Sequence, residues 1–304
     1  MGHSLFDQFR LTVLEHQLGV YGVHVHVDGQ PDIEHRFRAD DRVHLWSASK
    51  TFTSLAVGMC VDEGRFTLSD KILDHFGSCR SIAAPGSQDI TVRDLLHMQP
   101  GKEYALFQET DESVLGVTDW AELFFAGELK TTPGTHFFYA NACTYMLGRL
   151  VEATSGTRLR DYLLPRLFNP LHIPNPQWQT CPGGHNTGAF GLHLTTSELA
   201  RMGQVLLHEG EWDGSQLVSA DYVKAMHTDT VSTDHHFEDT ESDVGYGYQV
   251  WLNTAPGTFR ADGMYGQFSI VLPEQRAVVT VTSHNETCAN DIVRAVFADI
   301  VPKL

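Results

Sequence analysis

Hydrophobic and polar residues alternate near both ends of the chain, whereas the middle shows the spacing of amphipathic helices. Residues 20–27 and 33–37 alternate on either side of a turn-rich segment at 28–32, and this pattern predicts a β-hairpin. From residue 246 onward the chain contains further strand-like runs, separated by Pro-Gly and Pro-Glu turns. These runs are residues 246–251, 257–260, 268–272 and 278–282.

Apolar residues recur at helical spacing in several longer segments, of which the first lies near the start of the chain and the last near its end. These segments are residues 4–17, 43–61, 144–153, 195–207 and 290–301. Glycine follows the three central ones, as is typical of helix C-termini. Strands at both ends around a helical middle predict an α+β fold, with one antiparallel sheet built from both termini and a helical insertion beside it.

Two stretches of the middle region have less regular patterns. Residues 102–130 combine a loop with a helix, and we expect their aromatic side chains in the core. These side chains are Phe107, Trp120, Phe124 and Phe125. Residues 228–243 are acidic, polar and contain histidine, so we expect a mobile surface loop there.

Composition excludes several classes of partner. The formal net charge of −17 opposes binding to polyanions, so nucleic acid is not expected as a partner. The five cysteines are scattered and contain no Cys-x-x-Cys pair, which argues against a disulfide framework and against a zinc site. No basic-then-apolar leader and no apolar run of membrane-spanning length is present. We therefore expect a cytoplasmic protein that does not contact a membrane.

The predicted hairpin carries a modest metal-site candidate. His24 and His26 share one strand face, and His35 on the following strand is a third candidate. The chain contains 17 histidines, however, and most histidines in proteins are not ligands. We therefore expect that these residues bind no metal and that the protein needs no cofactor.

A nucleophile and its activator are predicted at the start of the second long helix. Ser47 and Lys50 are three residues apart, so a helix beginning at Ser47 places the lysine amine beside the hydroxyl. A desolvated lysine can lose its proton and then accept the proton of a serine. The N–H groups at the helix start also favour negative charge that develops near Ser47. A Ser-x-x-Lys match alone is weak, because it occurs roughly once by chance in a chain of this length.

Two further motifs follow in order and raise the specificity of this match. Tyr139 and Asn141 form a Tyr-x-Asn motif, and residues 263–267 read Gly-Met-Tyr-Gly-Gln. With these motifs the chain resembles the class C β-lactamase family in its wide sense, which includes DD-peptidase-like penicillin-binding proteins and family VIII carboxylesterases. Phrases such as Gly191–Ala200 and Gly245–Tyr248 extend the resemblance across nearly the whole chain.

The resemblance implies a specific architecture. The antiparallel sheet is flanked by N- and C-terminal helices and joined to a helical lobe, as in the serine β-lactamase/DD-peptidase fold. By position, residues 1–44 and 244–304 form the sheet domain and residues 45–243 form the mainly helical domain. The active site is then expected in the cleft between the two domains.

The resemblance also implies catalytic roles. Ser47 becomes the acylated nucleophile, Lys50 and Tyr139 its base and proton relay, and Asn141 a hydrogen-bond partner of Lys50 or of the substrate. The resemblance leaves open which of the two residues, Lys50 or Tyr139, is the general base. The oxyanion hole is expected from the backbone N–H groups of Ser47 and Gln267. Further substrate-binding positions implied in the third motif are Met264, Tyr265 and Gly266.

The function expected from the resemblance is that of a serine hydrolase that passes through an acyl-enzyme. The substrate class is a small molecule or short peptide, namely an ester, an amide or a D-amino-acid peptide. One alternative is a catalytically silent family member that serves as a binding or scaffold protein, and another is a true β-lactamase. Met264 replaces the lysine of the family's Lys-Thr-Gly motif, so β-lactam carboxylates are expected to bind poorly unless Arg260 substitutes. The oligomeric state is left open.

Overall fold

The computed structural model describes residues 2–103, 117, 119–233 and 238–304, and its central element is a six-stranded antiparallel sheet. In chain order the described strands are β1 (Val20–Val27), β2 (Ile33–Arg36), β3 (Val43–His44), β4 (Gln177–Trp178), β5 (Leu192–Leu194), β6 (Glu211–Trp212), β7 (Ser215–Gln216), β8 (Trp251–Leu252), β9 (Phe259–Gly263), β10 (Gln267–Leu272) and β11 (Ala277–Ser283). The large sheet has the spatial order β2-β1-β11-β10-β9-β8. Two small sheets, β3-β5-β4 and β6-β7, accompany it.

The large sheet is built from both ends of the chain, as predicted. Strand β1 pairs with β11 from Val20 opposite Ser283 to Val27 opposite Ala277, with one irregularity near Gly22. Successive side chains of a strand point to opposite faces of a sheet. Strands β10 and β11 are buried along their whole length because helices cover both faces.

The described helices are α1 (Gly2–Glu15), α2 (Ser49–Asp62), α3 (Val92–Leu96), α4 (Trp120–Ala126), α5 (Asn141–Ser155), α6 (Leu159–Leu163), α7 (Thr196–Leu207), α8 (Ala220–Thr228) and α9 (Asn290–Ala295). One-turn π-helices at Leu164–Phe168 and Val296–Ile300 continue α6 and α9. On one face of the sheet, α1 and α9 pack with Phe9 and Ile292 against the valines of β1. This apolar layer fixes both termini to the sheet.

Helix α7 covers the opposite face of the sheet at close range. A side chain at Gly203 would place its Cβ only 2.2 Å from the Ser269 hydroxyl oxygen on β10, so only glycine fits there. The Thr196 and Thr282 hydroxyls are 2.6 Å apart at the start of this helix. Thr195 and Glu198 cap the same end reciprocally. Helix α7 thus packs on the sheet, although its residues fall within the predicted helical domain of residues 45–243. The division of the chain into two domains at residues 44 and 244 stays a prediction.

The remaining helices form a second core beside the sheet. Helix α2 is buried from Ser49 to Cys60, because α5, α6 and α8 surround it. Gly58 permits the close approach of α8, since a Cβ there would lie 2.5 Å from the Tyr222 ring. The predicted core positions Trp120, Phe124 and Phe125 are buried, which confirms them. Phe107 lies outside the described residues.

Three local predictions were wrong. The predicted strand at residues 246–251 is reduced to β8 at Trp251–Leu252, with Tyr246 in isolated bridges. The predicted helix over residues 43–61 begins only at Ser49, because Val43–His44 pairs with β5 as a strand and Trp46–Ala48 forms a 3₁₀ turn. The predicted mobile surface loop at 228–243 includes residues 234–237, which lie outside the described residues. In its described part Glu241 is buried, and its carboxylate accepts a hydrogen bond from the Thr254 hydroxyl at 2.7 Å. The acidic composition of this segment did not indicate that Glu241 would be buried and hydrogen-bonded.

Within the part of the chain that the structure describes, no helix combines the length and the apolar character needed to cross a bilayer.

Candidate active site

Ser47 lies in a tight backbone turn between a short strand and a long buried helix. The Leu45 N–H donates to the Leu192 carbonyl at 2.8 Å, which continues the β3–β5 pairing up to the turn. Trp46 then adopts a left-handed conformation with φ of 50°, and the 3₁₀ turn leads directly into α2 at Ser49. The turn presents Ser47 at the amino-terminal end of α2, where unpaired backbone N–H groups favour an anion.

The Lys50 amine is held among three oxygen atoms. Its Nζ lies 2.9 Å from Ser47 Oγ, 2.7 Å from Asn141 Oδ1 and 3.1 Å from the Ala189 carbonyl oxygen. Lys50 is only 1% exposed. Because Asn141 is the first residue of α5, the starts of two helices and one loop converge on this amine. The predicted juxtaposition of Ser47, Lys50 and Asn141 is therefore present.

Burial changes the proton affinity of this lysine. It lowers the pKa of Lys50 to about 7, although the nearby Cys143 thiol and Asp262 carboxylate act in the opposite direction. At neutral pH a large share of the molecules therefore carries an uncharged amine at this position. In that form the Lys50 nitrogen can accept the hydrogen bond that the Ser47 hydroxyl donates.

Tyr139 lies against the same two residues. Its hydroxyl hydrogen-bonds the Ser47 side chain, and its ring centroid is 4.9 Å from Lys50 Nζ. The rings of Trp251 and Tyr246 pack on it at 5.3 and 5.9 Å. Burial raises the pKa of Tyr139 above its ordinary value, although the hydrogen bond to Ser47 lowers it. Tyr139 therefore keeps its proton at neutral pH.

The end of strand β9 touches the turn that carries Ser47. A Cβ on Gly263 would lie 2.2 Å from the Leu45 carbonyl oxygen and 3.1 Å from the Ala48 nitrogen, so a larger residue would separate the strand from the turn. This close approach places the Ser47 turn in contact with strand β9, which also contacts α2.

The chain matches the family model described as "Beta-lactamase" over residues 13–298. It belongs to the Beta-lactamase family. It is 26% identical over 266 residues to a 6-aminohexanoate-dimer hydrolase of Paenarthrobacter ureafaciens, covering 81% of this chain and 67% of that protein. It is 23% identical to Protein flp of Staphylococcus aureus (strain MRSA252) over 56% of this chain and only 35% of that protein.

The fold is shared with solved structures of the Beta-lactamase family. A structure titled "A class C beta-lactamase" superposes with a TM-score of 0.78 at 14% identity, covering 99% of this chain and 96% of that one. The predicted α+β fold, with an antiparallel sheet and flanking helices, is thereby confirmed. Similarity at this low identity establishes the architecture and not the substrate.

The third motif of this Beta-lactamase family member forms the turn between β9 and β10. The Met264 side chain is 54% exposed, and Tyr265 is left-handed with φ of 65°. The Tyr265 ring packs edge-on against Trp46 at 5.1 Å and stacks on His284 at 4.5 Å. Gly266 closes the turn, because a Cβ there would lie 2.2 Å from the Ser283 hydroxyl oxygen. Trp46, Tyr265 and His284 form an aromatic wall next to Ser47.

Gln267 is the first residue of β10 and pairs with Gly263 across the hairpin. Its buried side-chain amide donates to the Ser283 carbonyl at 2.6 Å, so the side chain supports the strand pair. The Gly263 backbone, four residues earlier in the chain, lies directly against the Ser47 turn, and strand β10 contacts this turn as well. The assignment of the Gln267 N–H to the oxyanion hole stays a prediction.

Arg260 cannot replace the missing lysine, which removes the possible exception to the expected weak binding of β-lactam carboxylates. It is fully buried, and its guanidinium donates to Asp262 Oδ2 at 2.8 Å, to Asn253 Oδ1 at 2.7 Å and to the Glu241 carbonyl at 2.9 Å. These acceptors leave no room for a substrate carboxylate. The cause is the alternation along β9, which places residues 260 and 262 on one face.

Asp262 is the residue of this site that the sequence motifs missed. Its carboxylate acts on both Lys50 and Tyr139, where it favours the protonated forms. The Asp262 side chain is 21% exposed and is paired with the Arg260 guanidinium at 2.8 Å. The alternation of residues along the predicted strand, which ends at Gly263, could have indicated that Asp262 lies next to the third motif.

The histidine candidates of the hairpin lie on two different faces. His35 pairs with Val23 in the sheet, and its ring contacts Phe6 and Phe37 on the side of α1. His24 and His26 point to the other face. His35 was therefore wrongly grouped with them, because residues paired directly across a sheet share a face.

We expect a lysine side chain with a pKa near 7 in ¹⁵N-lysine NMR titrations of the full chain, because burial disfavours its charge. This signal should vanish in Lys50→Met. Lys102→Met is the matched control, since Lys102 is also buried and burial lowers its pKa to about 8. If the signal removed by Lys50→Met titrates near the ordinary lysine value of about 10.4, the proposed neutral amine is absent.

Proposed function

We propose that this protein is a serine hydrolase that forms an acyl-enzyme on Ser47 with small ester or amide substrates. The observation that carries this proposal is the buried Lys50 amine, 2.9 Å from the Ser47 hydroxyl oxygen and with a pKa lowered to about 7. A nucleophile in hydrogen-bond contact with a base that is uncharged in a large share of the molecules at neutral pH is the arrangement that acyl transfer requires.

The geometry assigns the first proton transfer to Lys50. The neutral amine accepts the Ser47 proton while the serine oxygen forms a bond to the substrate carbonyl carbon. Tyr139 keeps its own proton at neutral pH, so it acts as a relay that delivers a proton to the leaving group as the ester or amide bond breaks. Lys50 resupplies that proton. A water molecule then attacks the acyl carbon by the reverse sequence and releases the acid.

The negative charge on the carbonyl oxygen needs two backbone donors. One is the Ser47 N–H in the turn that precedes α2. For the second we propose the Met264 N–H rather than that of Gln267, since the contact of Gly263 with Leu45 and Ala48 brings this end of β9 against the Ser47 turn.

Intact-mass measurement after incubation with a fluorophosphonate tests the nucleophile. The wild-type protein should gain one adduct, and Ser47→Ala should gain none. Ser49→Ala is the matched control, because this serine lies two residues away and its hydroxyl is occupied by the Leu192 N–H at 3.3 Å. An adduct in Ser47→Ala, or no adduct on folded wild-type protein, would overturn the proposal and favour the binding or scaffold alternative.

Tyr139→Phe should slow ester turnover by roughly 10² to 10⁴, because it removes a proton relay and leaves the ring packing intact. Fluorophosphonate labelling of Ser47 should survive in this variant, since fluoride needs less help to leave. Tyr246→Phe is the control, as its ring packs beside Tyr139 and it plays no part in the proposed chemistry. If Tyr139→Phe turns over the ester at the wild-type rate, Tyr139 contributes only packing and not proton transfer.

The charged groups of the site favour neutral substrates over carboxylates. Asp262 and Arg260 are paired with each other at 2.8 Å, so among the site residues described above no cation other than Lys50 is left for a substrate carboxylate. A charge-assisted hydrogen bond is worth about 1.5–3 kcal/mol, which corresponds to roughly ten- to a hundredfold in rate or affinity. This argues against the true β-lactamase alternative.

We therefore expect p-nitrophenyl acetate to be hydrolysed at least about tenfold more efficiently than its anionic analogue, the p-nitrophenyl hemisuccinate, and nitrocefin to be a poor substrate. Met264→Lys should narrow the gap between ester and nitrocefin. Leu14→Lys is the control, because it adds the same charge at an exposed apolar position of α1. Efficient nitrocefin hydrolysis by the wild-type protein, in the common range of about 10⁴ to 10⁸ M⁻¹s⁻¹, would contradict this charge argument.

A further inference from the structure

A second cluster of chemically active side chains lies at the turn end of strand β1. His26 Nε2 is 3.2 Å from Asp28 Oδ1, and His208 Nε2 is 2.7 Å from the same oxygen. The three potential ligand atoms all lie within 4.8 Å of one another. His208 is the residue that ends α7, so helix and strand bring together groups that are far apart in the chain.

The spacing of these atoms suits a transition metal. Metal–nitrogen and metal–oxygen bonds of about 2.0–2.2 Å around a tetrahedral ion set neighbouring ligand atoms roughly 3.3 Å apart. The observed separations to Asp28 Oδ1 are close to this value, and an outward shift of His208 by about half an ångström would admit the ion. Two imidazoles and one carboxylate are a ligand set that zinc accepts, with a water molecule in the fourth position.

A further carboxylate orients one of the imidazoles. Asp32 Oδ1 is 2.7 Å from His26 Nδ1, on the far side of the ring from Asp28. When Nδ1–H donates to a carboxylate, the lone pair of Nε2 is directed at the metal position. Asp32 is itself held by His24 Nε2 at 3.4 Å and by the Gln204 amide at 3.4 Å. A histidine locked by an outer carboxylate is the usual support of a metal ligand.

From this geometry we propose that His26, Asp28 and His208 bind a divalent transition metal ion of the zinc class. The ion would clamp the carboxyl end of α7 to the β1–β2 hairpin. It would also compete with Arg276, whose guanidinium contacts the other oxygen of Asp28 and whose side chain is 72% exposed. The sequence argued against a metal on this hairpin because the chain contains 17 histidines, and no pattern in the sequence connected His208 with the hairpin. Ser47 lies against β9 near the opposite edge of the sheet, so this site is separate from the proposed chemistry.

The test is a titration of the full-length, EDTA-treated protein with Co²⁺, followed by visible absorption, and with Zn²⁺, followed by calorimetry. We expect saturable binding of one ion per chain and a rise in melting temperature when Zn²⁺ is added. His26→Ala and His208→Ala should each weaken binding by at least about a hundredfold, and Asp32→Asn by about ten- to a hundredfold. Arg276→Gln should strengthen binding, since it removes a competing cation.

The matched control is His185→Ala. His185 also contacts a carboxylate, that of Glu152 at 2.9 Å, but it does not belong to the group formed by His26, Asp28 and His208. It should bind metal as the wild-type protein does. Asp28→Asn, which preserves side-chain shape, serves if a histidine variant fails to fold. The proposal is overturned if the wild-type protein binds no stoichiometric ion, or if the folded His26, His208 and Asp28 variants retain wild-type affinity. It is also overturned if these variants lower the melting temperature equally with and without zinc, because the cluster is then a network of ion pairs alone.

Discussion

The burial of the Lys50 amine determines how the candidate active site is arranged. Lys50 Nζ must find polar partners because an unpaired buried ammonium or amine is costly. Its partners come from three separate parts of the chain: the Ser47 turn, the start of α5 at Asn141 and the loop carbonyl of Ala189. The helices and the loop that supply them are therefore held in register by the same contacts that prepare the nucleophile.

The division of labour between lysine and tyrosine follows from the same burial. Desolvation disfavours the charged form of each group, so it lowers the pKa of Lys50 and raises that of Tyr139. One environment thus yields an uncharged base and a protonated relay side by side. A second lysine near Tyr139 would alter this balance, and the third motif of this chain supplies Met264 and the nearby Asp262 instead. Asp262 is paired with Arg260, so neither residue supplies the cation that a second lysine would have provided.

Local patterns predicted what depends on neighbours in sequence. The alternation of residues 20–27 predicted β1, and the three-residue spacing of Ser47 and Lys50 predicted their contact, although the helix begins two residues later than the serine. Long-range pairings were not accessible in the same way. The sequestering of Arg260 depends on Asn253 and on the Glu241 carbonyl, and the meeting of His26 with His208 depends on how α7 crosses the sheet. Neither can be inferred from periodicity, because nothing in a single sequence fixes which distant groups become partners.

The most direct test of the central claim is the pH dependence of the rate at which an excess of fluorophosphonate labels Ser47. If neutral Lys50 is the base, the second-order rate constant should rise with pH through a single apparent pKa near 7 and reach a plateau above about pH 8. Tyr139→Phe should show the same midpoint, whereas Lys50→Met should label slowly and without this transition. A rate that keeps rising to pH 10 in the wild-type protein, or one that does not change between pH 5 and 9, would contradict the assignment of Lys50 as the base.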